Sequence, residues 1–104
     1  MQHHYKLAED GRTPIKVTWE EYIAWRVTDP DITVKLTHIG AYEVSTVFLG
    51  MDMAFGRQGT PVLWETMIFG GRLDARQQYR HTSYEAAVEG HEAVVALVRK
   101  AAVG

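Results

Sequence analysis

The strongest constraint on the fold is a pair of apolar runs separated by a glycine-rich break. The first spans Val44 to Leu49 and ends in Gly50-Met51-Asp52; the second, Pro61 to Phe69, follows glycines at 56 and 59 and closes on Gly70-Gly71. Near Val47 to Leu49 and Leu63 to Phe69 the runs are apolar at successive positions, the pattern of central strands covered on both faces. Strand alternation over Ala41 to Leu49 puts Tyr42, Val44, Thr46 and Phe48 on one side and Glu43, Ser45, Val47 and Leu49 on the other. The break from Gly50 to Thr60 is long enough for a binding loop or lid.

The flanking segments complete an α+β pattern. Tyr5 to Ala8 and Ile15 to Val17 surround an Asp10-Gly11 turn and predict a β-hairpin, with Pro14 pushing the second strand toward an edge. Thr18, three residues before Glu21, forms a capping box that opens a short helix from Trp19 to Val27, ended by Asp29-Pro30. Its apolar side is predicted to carry Tyr22, Ile23, the stem of Arg26 and Val27, with Trp19 one turn below and Trp25 opposite and exposed. Ile32 to Leu36 alternates as a strand with Ile32, Val34 and Leu36 on its apolar face. A short edge strand is expected at Gln78 to His81. Thr82 and Glu85 repeat the capping box before a long helix that runs to about Lys100. The expected architecture is one domain over 1–104, a mainly antiparallel sheet of about four to five strands packed with one short and one long C-terminal helix.

Composition excludes several classes. The chain has 104 residues and no cysteine, which rules out disulfides, thiolate catalysis and cysteine-bound zinc or iron-sulfur centres. Eleven basic and 13 acidic side chains leave a formal charge of −2, without the basic block that draws a protein to nucleic acid; Arg72, Arg76 and Arg80 are the nearest approach to one. No apolar stretch reaches the roughly 20 residues of a membrane helix, and Met1 to Tyr5 does not begin a signal peptide. A cytoplasmic protein is expected.

The segments Val44-Ser45-Thr46-Val47-Phe48-Leu49-Gly50, Trp64-Glu65-Thr66-Met67-Ile68-Phe69-Gly70-Gly71, Tyr79-Arg80-His81-Thr82-Ser83-Tyr84-Glu85-Ala86 and Gly90-His91-Glu92 together resemble a group of small uncharacterised proteins encoded by bacteriophages and prophages. The likeness covers roughly the last two thirds of the chain. It implies a viral origin and a place in the host cytoplasm, but no activity and no catalytic residues. Where that pattern continues Gly50 with Leu-Asp-His, this chain has Met51-Asp52-Met53, which removes a histidine from the position.

Glu65 is the leading candidate for a polar site, because a carboxylate inside an apolar strand needs donors, a cation or a raised pKa. Strand pairing is expected to set it near Thr46, with Arg80 or His81 within reach. It is read either as a structural ion-pair member or as the polar floor of a cleft. Asp52, Arg57, Glu65 and Arg80 are candidates to converge around the Gly50 to Thr60 loop as a ligand-binding set, joined by His81 and His91. Asp52 also reads as a strand-end cap. His91 lies beside Gly90, which permits close approach of another backbone, and on the border of the helix's buried face. Metal binding by His38, His81 and His91 would need long-range convergence without a motif. No phosphate loop, calcium loop or nucleophile elbow is present. Trp25, Tyr79 and Tyr84 are candidates for an interface.

No complete set of nucleophile, base and oxyanion donors is visible. The favoured expectation is therefore a small accessory protein that acts by binding another protein or a second copy of itself, without a cofactor. A small-molecule or nucleotide pocket near the loop and Glu65 is the alternative, and a metal-independent hydrolase the third.

Overall fold

The computed structural model describes residues 3–53, 59–71 and 78–103. The elements follow in the order β1 (His4–Leu7), β2 (Pro14–Val17), α1 (Trp19–Arg26), β3 (Thr33–Ile39), β4 (Tyr42–Phe48), β5 (Trp64–Phe69), β6 (Gln78–His81) and α2 (Tyr84–Val103). Strands β3 to β6 form an antiparallel sheet in chain order, and β1 and β2 form a separate antiparallel hairpin. The α+β expectation holds, with four strands in the main sheet and the long helix packed across one face. No described helix is long and apolar enough to cross a membrane.

Local chemistry sets the element boundaries. The β1–β2 turn is organised by Asp10, whose carboxylate accepts from the amides of Arg12 and Thr13 and from the Thr13 hydroxyl. These donors hold its pKa low, at about 2. The predicted box at α1 is present: Thr18 accepts from the Glu21 amide, and Glu21 accepts from the Thr18 amide. At α2 the expected Thr82 cap is replaced by Ser83, which accepts from the Ala86 amide three positions on. Both hydroxyls precede an acidic residue in the first turn, so sequence alone left the cap one residue out of register.

Two expectations about sidedness are overturned. The register of β3 against β4 shifts between Thr33 and Lys35, so Val34 is an extra residue in a bulge. After it the alternation inverts: Lys35, Thr37 and Ile39 turn toward α2, while Leu36 moves to the outer face and is 48% exposed. In α1 the buried residue is Tyr22, and Trp25 is half-buried against Phe48 with ring centroids 6.0 Å apart. Trp19, Ile23 and Val27 face solvent instead.

The core under α2 has two apolar clusters. One joins Val44 and Ile68 to Val94, Val95 and Val98; the other joins Phe48, Leu63 and Trp64 to Ala87 and receives Tyr5, Leu7, Trp25, Ile32, Val34 and Tyr84. The hairpin and α1 reach this second cluster from the end of β4. There the Tyr5 amide donates to the Gly50 carbonyl at 2.7 Å, and the Tyr22 hydroxyl donates to the Leu49 carbonyl at 3.0 Å.

Gly50 is the tightest point of that junction. Its φ is +78°, and a Cβ there would lie 2.6 Å from Tyr22 Cε1 and 2.9 Å from the Tyr5 carbonyl oxygen. Gly50→Ala is expected to lower stability by about 2–4 kcal/mol, from left-handed strain plus overpacking. Urea denaturation followed by tryptophan fluorescence checks this, because Trp19 and Trp25 sit on the element that the substitution pushes away.

Candidate functional site

Between the two apolar clusters runs a chain of buried polar side chains. Thr37 Oγ1 lies 2.8 Å from His91 Nε2, and His91 Nδ1 lies 2.7 Å from Thr46 Oγ1. Thr46 Oγ1 is 2.6 Å from Thr66 Oγ1, which is 2.9 Å from His81 Nε2. One residue comes from each of β3, α2, β4, β5 and β6. Thr46 and Thr66 are direct cross-strand partners, and both, with His91, are completely buried.

With the Thr46 and Thr66 hydroxyl hydrogens both used within the chain, the hydrogens fit in two ways. In one, Thr37 donates to His91 Nε2, His91 Nδ1–H to Thr46, Thr46 to Thr66, and Thr66 to His81 Nε2, leaving the His81 proton on Nδ1. In the other, every donor reverses: His81 Nε2–H donates to Thr66, and the direction runs back to His91 Nε2–H and Thr37. Each ring is neutral in both arrangements, so the tautomers of His81 and His91 are coupled. Burial drives both rings below the ordinary histidine pKa; at His91 the Glu92 carboxylate opposes this and Lys35 reinforces it. Lys35 and Glu92 form an ion pair over the outer end of the chain.

Gly90 exists for His81. A Cβ at this position would lie within 2.8 Å of His81 Nδ1 and nearer still to Cε1. The expected close approach at Gly90 is thus to an imidazole ring rather than to backbone. His81 Nδ1 has no hydrogen bond among the described residues, and its ring joins Tyr79, Gly90, Ala93, Val94 and Leu97 around a groove of about 310 Å³.

Glu65 belongs to the other face. It pairs across the sheet with Val47 and Arg80 rather than Thr46, and Arg80 Nε donates to its Oε2 at 3.1 Å. Glu65 is 8% exposed, whereas the Arg80 side chain is 40% exposed and also donates to Gln78. His81 points to the α2 side and does not reach Glu65. The expected ion pair with arginine is therefore present.

Asp52 is buried where the glycine-rich segment starts. Its Oδ1 accepts from the Val62 amide at 3.0 Å, and the Met53 amide donates to the Val62 carbonyl, so the two ends of the segment are clasped together. The half-buried Tyr5 phenol has a raised pKa, from partial burial first and from the Asp52 carboxylate second. Arg57, with Arg72 and Arg76, lies outside the described residues. The candidate ligand set is thus divided among three places: Asp52 at the clasp, Glu65 and Arg80 on the outer face, and His81 and His91 beneath α2. His38 is exposed on the outer face, 3.6 Å from Glu43. No cluster of three or more metal-ligating side chains occurs among the described residues.

The interface candidates also have definite places. Tyr79 packs against the Val44 cluster, and Tyr84 against the Phe48 cluster with the Arg12 guanidinium 4.8 Å from its ring centre. Trp25 borders an open hollow of about 650 Å³ along the hairpin, together with Leu7 and Ile15. Sequence reasoning missed the threonines. The available signal was His91 spaced one turn from Ala87 and from Val94 and Val95, at the centre of an otherwise apolar stripe.

Three outcomes test this description. Thr46→Val strips His91 Nδ1 and Thr66 of a shared partner inside the core, and should lower stability by about 2–4 kcal/mol in urea denaturation; adding His91→Leu should recover part of the loss. Arg80→Ala, which leaves the Glu65 carboxylate without its cation, should destabilise more than Glu65→Gln, which keeps an acceptor for Arg80. Both histidines have depressed folded pKa values, so the unfolded chain binds protons first as pH falls. Their stabilising contribution is complete above about pH 6.5 and is lost as pH drops through the folded values, by at most about 1.4 kcal/mol per pH unit for each ring. Denaturation midpoints from pH 7.5 to 5 should show that decline, and His91→Leu should flatten it.

Compared with family models, with curated proteins and with solved structures, the chain finds no match in any of the three.

Proposed function

We propose that the protein is a small accessory protein that acts by binding and associates with a second copy of itself through α1. The observation that carries this reading is a stripe of apolar side chains left in solvent on a helix already anchored by other residues. Trp19, Ile23 and Val27 recur at intervals of four along one side of α1 and its cap, and they are 54%, 38% and 75% exposed. Residues four apart on a helix adjoin one another, so the three make one continuous ridge. Tryptophan at the head of such a ridge suits a binding hot spot.

A second α1 fits this ridge in antiparallel orientation. The first turn carries Glu20 and Glu21, and the last carries Arg26, so antiparallel pairing sets acidic ends against basic ends. The ion-paired Glu65 and the divided candidate set give less support to a ligand site at Glu65. A phage-encoded accessory protein remains the setting proposed for this binding role, on the sequence resemblance alone.

Sedimentation velocity over a concentration series should show a monomer–dimer equilibrium. Ile23→Glu with Val27→Glu should abolish the dimer while changing monomer stability by about 0.5 kcal/mol or less, as expected for exposed positions. A chain monomeric throughout the series, or a dimer indifferent to both substitutions, overturns the self-association.

A further inference from the structure

The groove between β6 and α2 is separate from the α1 ridge and has its own chemistry. Its walls are Tyr79, Ala93, Val94 and Leu97, its floor is the helix backbone at Gly90, and the imidazole of His81 borders it. An apolar cavity of about 150 Å³ accepts benzene. At about 310 Å³, this groove has room for two fused rings.

Three observations make it more than a gap in packing. Glycine stands in the interior of a long helix, where it is less stable than alanine, and any side chain there would strike His81. The His81 ring is held by Thr66 through Nε2, while Nδ1 has no hydrogen bond among the described residues. Finally, none of the described lining residues carries a carboxylate, ammonium or guanidinium group, so none of them would neutralise a charged ligand. The complementary molecule is apolar and uncharged, with one polar head.

We propose that this groove binds a small, uncharged, two-ring-sized apolar molecule whose single phenol-like hydroxyl, a stronger donor than acceptor, donates to His81 Nδ1, and that the bound head selects the direction of the buried hydrogen-bond chain. A hydroxyl that donates to Nδ1 fixes the His81 proton on Nε2. His81 then donates to Thr66, Thr66 to Thr46, Thr46 to His91 Nδ1, and His91 Nε2–H to Thr37. Occupation of the groove is thereby read at the opposite edge of the sheet, at Thr37 of β3, without any change in net charge.

Three matched probes test this on the intact chain: 2-naphthol, naphthalene and 2-naphthoate. Their binding is measured by titration, and the ring nitrogens of His81 and His91 are followed by long-range nitrogen–proton correlation NMR. The expected result is 2-naphthol binding at least 10-fold tighter than either of the others, with the nitrogens of both rings shifting toward the Nε2–H form. Equal affinity for naphthalene would overturn the head-group contact, preference for 2-naphthoate would overturn the uncharged class, and an unmoved His81 would overturn the site. Leu97→Trp, a change at a 46% exposed position, should fill the groove and remove 2-naphthol binding with the fold retained. Thr66→Val should leave the His81 response and erase that of His91; a His91 response that survives a folded Thr66→Val overturns the relay.

Discussion

The hydrogen-bond chain from Thr37 to His81 is the interaction on which the remaining structure depends. Apolar packing is non-directional, and valine-rich surfaces such as Val94, Val95 and Val98 tolerate displacement along a sheet. A ring that must meet Thr37 with one nitrogen and Thr46 with the other does not. His91 therefore fixes both the height and the rotation of α2, while the apolar clusters on either side supply the bulk of the burial. The arrangement is all or none, because each hydroxyl in the middle is satisfied only by its neighbours. Removing one member strands the next inside the core.

The same belt separates two halves of the core with different duties. On the Val44 side, α2 covers the sheet directly. On the Phe48 side the helix contributes the small Ala87 and, at its first turn, Tyr84, and the rest of the space is filled by aromatic and aliphatic side chains from the hairpin, α1 and the start of β3 with the preceding Ile32. Phe48 meets Trp64 at 5.1 Å and Trp25 at 6.0 Å, and Trp25 meets Tyr22 at 6.2 Å, so ring contacts run outward from the sheet into α1. Gly50 allows that junction to close, and Asp52 clasps the chain immediately after it. The opening sequence feature, two apolar runs with a glycine-rich break, thus marks the place where the N-terminal unit docks.

How far this was legible follows from what each local signal specifies. Alternation placed Tyr42, Val44, Thr46 and Phe48 on one face of β4, and the register bears that out for the α2 side. Short capping patterns located both helix starts, with one cap displaced by a residue. A single bulged residue at Val34 was invisible, because an alternating strand looks the same with or without an insertion until its partner is known. Sequence alone leaves Arg80 and His81 as alternative partners of Glu65 for a related reason: adjacent residues on an edge strand face opposite ways, and only the register shows that Arg80 takes the outer side. The polar chain itself required the register of four strands at once, which no local pattern carries.

Helix α1 shows why an apolar side need not be a buried side. An isolated helix of eight residues is far too short to persist in water, so its stability must come from its surroundings. Those surroundings are the capping box at Thr18 and Glu21, the Tyr22 hydroxyl bond to the Leu49 carbonyl, and the contacts of Tyr22 and Trp25 with their neighbouring rings. The box closes the exposed N-terminus, and the Tyr22 and Trp25 contacts act through the side of the helix that faces the end of β4. Trp19 touches His4 and Tyr22 but keeps more than half its surface in solvent, and Ile23 and Val27 have no part in either apolar cluster. The anchoring of α1 and the display of its ridge therefore rest on different residues. Such a division leaves the exposed side free to vary while the fold stays fixed.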